Sequence, residues 1–202
     1  MDALILRFDA PLMSFGGVMV DQHGPINRFP GLAMLTGLLA NALGYRHSEF
    51  DRLQSLQEQI RFAARWDLEP EHIIDYHTVD LGQEKMRHSG WTTRGMTEHR
   101  AGGSSAKFGT HQRYRHYWAN GVMTLALTLE EGSTTLDEIE AALHHPARPL
   151  FLGRKTCLPA APLLLERTQS INVLDALCCC PVDNRAAMNG EETLAACWPA
   201  NI

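Results

Sequence analysis

Between Lys85 and Tyr117 the chain gathers Lys85, Arg87, Arg94, Arg100, Lys107, Arg113 and Arg115, with Glu98 the only acid among them. Glycines at 90, 95, 102, 103 and 109 separate these cations, and Trp91, Phe108, Tyr114 and Tyr117 lie between them. Cationic side chains neutralise phosphates, glycines let backbone come close, and rings stack on bases. The mixture therefore suits an extended arm that grips single-stranded nucleic acid. His77, His88, His99, His111 and His116 lie in or beside the same stretch. Imidazoles can serve as acid and base near neutral pH, which opens a rival chemistry, metal-independent RNA cleavage. No carboxylate that would orient one of them is evident from the spacing.

Outside the arm the balance is acidic: Asp plus Glu number 23 against 18 Lys plus Arg, for a net charge of −5. Contact with a polyanion is thus expected on one face only. With 202 residues and 45% apolar content, the chain can bury one core. The expectation is a single domain, 1–202, with the arm inserted at about 80–117 and a short irregular extension at about 160–202. No run approaches the roughly 20 apolar residues of a membrane span. Met1-Asp2-Ala3 lacks the basic start of a secretory leader, so a cytoplasmic protein without membrane contact is expected. Five cysteines without framework spacing fit a reducing compartment. Neither Cys178-Cys179-Cys180 nor His144-His145 has ligand spacing, and no metal or other cofactor is expected.

The positioning elements follow from periodicity. Ala3 to Asp9 alternates at the period of a strand, although Ile5 makes both faces partly apolar. A Gly- and Pro-containing loop, 10–30, leads to a helix marked by Leu35, Leu38, Leu39, Ala42 and Leu43 and ended by Gly44. Phe50, Leu53 and Leu56 predict a short second helix, and Ile60–Trp66 and Ile73–Val79 read as strands around Pro70. Val122–Leu129 is a further strand, Thr135 and Glu138 form a capping box, Pro149–Arg154 reads as a strand, and 172–177 as a helix. The arm apart, the order is β-α-β, β-α-β. That predicts an α+β, ferredoxin-like or RRM-like core with two helices on one face of an antiparallel sheet.

Two further segments hold candidate contact residues. Ser14, Phe15 and Gly16 follow the first strand, where small residues permit close approach. Gly153-Arg154-Lys155 presents adjacent cations on a turn, read either as a phosphate contact or as a solvated basic turn. Tyr114 and Tyr117 are expected to face mainly the core.

These blocks carry a resemblance. Leu4–Phe8 leading to Pro11–Gly16, Arg28-Phe29-Pro30 before Gly37–Ala40 and Ala42–Gly44, and Phe62–Arg65 with Asp67 occur in order. They are followed by Asp75–Val79, Arg113–Tyr117 and Pro149–Pro159. Together they resemble CasD-type subunits of the Cascade CRISPR surveillance complex, members of the RAMP superfamily, over nearly the whole chain. The resemblance implies a non-catalytic subunit that binds the 5′ handle of the CRISPR RNA and caps the backbone filament, the arm being the family's thumb. It implies as partners the crRNA, CasC-type backbone subunits, the large subunit and, through the complex, target DNA. Ser14, Phe15, Gly16, Arg28, His77, Arg94, Arg100, Lys107, Arg113, Arg115, Arg154 and Lys155 are the expected RNA-binding residues. The chain departs from the family at Phe15, where tryptophan is usual, and at Gly31–Met34, where a polar segment is usual. Arg28 is the nearest substitute cation for a phosphate at that helix start. An endoribonuclease processing repeat RNA and a ferredoxin-like protein-interaction module remain the alternative readings.

Overall fold

Both faces of the first strand are apolar, and the layering follows from that. The computed structural model describes residues 1–18, 23–80, 110–187 and 193–200. β1 (Asp2–Asp9) is followed by the two-residue strands β2 (Leu12–Met13) and β3 (His23–Gly24), then α1 (Leu32–Leu43) and α2 (Phe50–Gln59). β4 (Ile60–Leu68), β5 (Glu71–Asp80), β6 (Thr110–Ala119) and β7 (Val122–Leu129) precede α3 (Leu136–His144). The chain continues through β8 (Leu164–Gln169), α4 (Val173–Cys179), α5 (Asn184–Ala187) and β9 (Ala196–Cys197).

Five strands form one sheet in the order β8-β1-β7-β4-β9, every pair antiparallel. Leu4, Leu6 and Phe8 point to one face and pack with Leu125 and Leu127 against Leu35 and Leu39 of α1, Leu56 of α2 and Ile139 of α3. Ala3 and Ile5, beside Ala126 and Ala63, point to the other, where Val173, Ala176 and Leu177 of α4 cover them. The protein is thus a mixed α+β fold with a sheet buried on both sides.

Local chemistry sets the helix ends. Gly44 closes α1 at φ 81°, a left-handed conformation that a side chain would strain. The predicted capping box is present: the Thr135 hydroxyl accepts from the Glu138 amide at 3.3 Å, and the Glu138 carboxylate accepts from the Thr135 amide at 2.8 Å. Asn172 caps α4 in the same manner, its side chain accepting from the Asp175 amide at 2.8 Å.

β5 does not join the main sheet. It runs antiparallel to β6 from Glu71↔Ala119 to Asp80↔Thr110, and the short β2 and β3 pair with the other edge of β6. The turn between β4 and β5 passes under Gly121, where a Cβ would lie 2.6 Å from Pro70 and 2.8 Å from the Trp66 ring.

One expectation fails. Pro149–Arg154 is a loop, because Pro149 has no amide to donate and Gly153, at φ 102°, turns the chain back. The closing bonds are Leu152 N to Cys157 O and Cys157 N to Arg154 O, both 2.8 Å. The strand expected there is supplied instead by β8, whose mostly exposed edge residues lack an alternating pattern.

Candidate nucleic-acid interface

A strand reading His-Gln-Arg-Tyr-Arg-His-Tyr-Trp separates cations from rings by parity. In β6, Arg113 and Arg115 share a face, with Tyr117 further along it, while Tyr114, His116 and Trp118 occupy the other. Tyr114 and Tyr117 differ by three positions and therefore cannot face the same way. Tyr117 is buried, as expected. Tyr114 is half-buried and stacks on His23 of β3, centroids 4.7 Å apart and planes 9° apart.

On the cationic face, Arg113 lies across from His77 of β5 and exposed Arg115 across from Asp75. His77 Nε2 hydrogen-bonds Asp75 Oδ2, two residues away on the same strand face. A carboxylate therefore does orient one of the histidines, a partner that becomes visible once the i,i+2 geometry of β5 is known.

Arg154 is not a free cation on a turn. Its Nη1 donates to the His116 carbonyl at 3.0 Å, its Nη2 to the Gly24 carbonyl at 3.3 Å, and its guanidinium carbon lies 4.9 Å from the Tyr117 ring centre. The side chain joins β6 and β3 and so positions the ribbon base. Lys155 beside it is exposed.

In the first loop the expectation for Phe15 needs correction. Phe15 is 1% exposed, its ring packed beside Phe8 and Trp66 at centroid distances of 6.4 and 6.1 Å, which leaves no face for a base. Ser14 is buried, its amide donating to the Leu152 carbonyl at 3.0 Å and its Oγ lacking a partner. Gly16 is exposed, with nothing within 4 Å of a built Cβ. Arg28 donates to Glu69 Oε1 at 2.6 Å in an exposed ion pair, a weak tie. Arg94, Arg100 and Lys107 lie outside the described residues, as do His88 and His99.

The geometry leads to relatives. The family model for CRISPR-associated protein (Cas_Cas5) matches residues 3–199. The chain belongs to the Cas5 family. The CRISPR system Cascade subunit CasD of Escherichia coli (strain K12) is 33% identical over 183 residues, covering 86% of this chain and 75% of that protein. A solved chain of a CRISPR RNA-guided surveillance complex superposes with a TM-score of 0.66 at 27% identity, over 87% of this chain and 67% of its own length. A solved Cas protein at 22% identity shares the fold, with a TM-score of 0.57 over 87% of this chain and 69% of its own length. The resemblance to CasD-type subunits read from the sequence is borne out.

In this Cas5 protein, sequence reasoning missed a histidine cluster at the ribbon base. His72 Nε2 and His116 Nδ1 are 3.0 Å apart, and His23 meets His116 edge-on at 6.0 Å. The period-two ladder of β5 and β6 would have revealed the first pair had their register been known. Burial pushes His116 below the ordinary imidazole range, and the charges of His72, His23 and Arg154 add to the shift. Its Nε2 is buried without a partner.

The folded protein thus resists a proton that the unfolded chain accepts at about 6.5. Stability from neutral His116 is complete above that value and declines as pH falls from it toward the lower folded value. Thermal midpoints from pH 7.5 to 5 should drop more steeply for the native protein than for His116→Asn. Parallel curves would show that this imidazole does not govern the response.

Proposed function

We propose that this Cas5 chain is the non-catalytic CRISPR RNA-binding subunit of a Cascade-type complex, clamping the 5′ handle of the crRNA and capping the backbone filament. The observation that carries the reading is the β5–β6 ladder, which presents Arg113 and Arg115 on one face and leads into the cation-rich stretch 81–109. Paired strands hold the Arg forks at fixed spacing, and such forks make charge-assisted bonds to phosphate. A handle must be held in one shape without being cut, and a rigid ribbon with a glycine-containing arm serves that task.

On this reading the chain is a single RAMP domain with a thumb at about 80–117 and an extension from about 160, working in the cytoplasm. The order β8-β1-β7-β4, with helices after β1 and β7, supports reading the core as ferredoxin-like. CasC-type subunits, the large subunit and, through the assembly, target DNA are its partners. No helix among the described residues is long and apolar enough to cross a membrane.

Repeat RNA titrated at increasing salt should give a slope of log affinity against log salt of roughly −3 to −4, from about five phosphate contacts at about 0.7 each. Arg113→Ala and Arg115→Ala should each make it shallower by about 0.7. A flat response would favour a protein-interaction module.

The His77–Asp75 pair favours a second reading, a metal-independent ribonuclease. Incubation with repeat RNA in EDTA separates the two. A defined cut abolished by His77→Ala would establish cleavage, whereas intact bound RNA supports the clamp.

A further inference from the structure

RRM-type sheets bind unpaired bases on an open face that carries aromatic side chains. The equivalent face of the five-stranded sheet here carries Ala3, Ile5, Ala63 and Ala126 and is closed by α4. It offers neither rings nor access. Rings stand instead on the ribbon base, on the face opposite Arg113 and Arg115.

There β3 and β5 flank β6, and one ring from each strand forms a row. Tyr114 stacks on His23 at 4.7 Å and meets Tyr76 at 5.1 Å with a 33° tilt. Tyr114 is thus sandwiched, while Tyr76, at the end of the row on β5, is 50% exposed. Tyr76 thus presents an apolar ring surface to water at the end of the row. A planar, apolar-faced ligand is what such a ring accepts. On this parity no acid occurs from His72 to Thr78 or from Gln112 to Trp118, although the whole chain carries −5. The acids of this part of β5, Glu71 and Asp75, have the opposite parity. Along β5 the nearest acid of this parity is Asp80, at the strand's end, so among the described residues the rings stand on a surface poor in carboxylates, which on an acidic protein favours a base attached to a polyanion over a basic protein segment.

We propose that Tyr76 receives an unpaired RNA base, extending the His23–Tyr114–Tyr76 row by one member. The inference rests on the RNA-binding reading above and assigns to it a second contact surface on the ring-bearing face. The cationic face then neutralises phosphate while the ring face accepts a base displaced from its neighbours. Stacking is insensitive to ionic strength, so the two faces have separable signatures.

The test uses the full chain and single-stranded repeat RNA substituted with 5-bromouridine. Tyr76→Ala should weaken binding roughly tenfold at every salt concentration with the slope unchanged, while Tyr76→Phe binds as the native protein does. Photocrosslinking should place an adduct on the peptide containing Tyr76. Salt-dependent binding by native protein and Tyr76→Ala alike, without that adduct, would overturn the stacking site and leave the RNA-binding reading standing. Loss of association with the backbone subunit, with RNA affinity intact, would assign the face to a protein and also overturn it. Absence of RNA binding by the native chain would remove both.

Discussion

Gly153→Ala is expected to destabilise the protein by on the order of 3–5 kcal/mol, the largest effect of any single methyl group considered. Two costs combine. Gly153 has φ 102°, where a Cβ is strained in any surroundings. A Cβ built there would also lie 1.8 Å from the Ser14 carbonyl oxygen, an overlap with backbone that no side-chain rotation relieves. Separation of the two segments would break the Ser14 N to Leu152 O bond and pull Arg154 from its carbonyls on His116 and Gly24. The ribbon base would then lose its brace, and RNA affinity should fall with stability. Urea denaturation measures the first loss. Gly16→Ala is the control, since nothing lies within 4 Å of its Cβ position, and it should shift stability by no more than about 0.5 kcal/mol. Equal midpoints for the two variants would mean that the turn does not dock on Ser14.

Asp67→Ala should cost about 3–5 kcal/mol, through charge instead of shape. The Asp67 carboxylate is fully buried and accepts from Arg65 Nε at 2.7 Å, the Thr124 hydroxyl at 2.8 Å and the Asp183 amide at 2.9 Å. Arg65 also donates to the carbonyls of Leu177 and Cys180, and Arg7 pairs with Asp183 at 3.2 Å. Removal of Asp67 leaves two guanidinium groups beside the core with one acid fewer and frees the chain after α4. Arg185 holds the Asp183 carboxyl below the usual carboxylate range, so this acid stays ionised and keeps Arg7 engaged. Limited proteolysis should therefore cut the variant near Pro181 before the rest of the protein yields. If urea midpoint and cleavage pattern match the native protein, the buried carboxylate is not what fastens this segment.

The parts legible in the sequence are those where local chemistry and packing agree. Leu136, Ile139 and Leu143 fall at helical spacing behind a capping box, and the predicted helix stands where expected. Val122–Leu129 is a strand with the predicted bounds. Pro149–Arg154 misled because an apolar run looks alike in a strand and in a loop whose leucine fills the core, as Leu152 does. β8 was invisible because an edge strand facing water needs no alternation. At the candidate interface, residue types pointed to the β5–β6 ribbon, but partners across strands could not be read. The bonds of Arg154 to His116 and Gly24, and the Asp75–His77 pair, exist only once register is set. Phe15 looked available because it follows a strand next to glycines, yet the chain turns its ring inward against Trp66.

The position of β1 between β7 and β8 has a consequence for biogenesis. β1 pairs with strands made more than about a hundred residues later, so its edges stay open until those strands emerge. A nascent polypeptide halted before Val122 has no partner for its leading β-segment and should need a chaperone. β1 gains its second neighbour only once β8 has been made, so the central layer closes late.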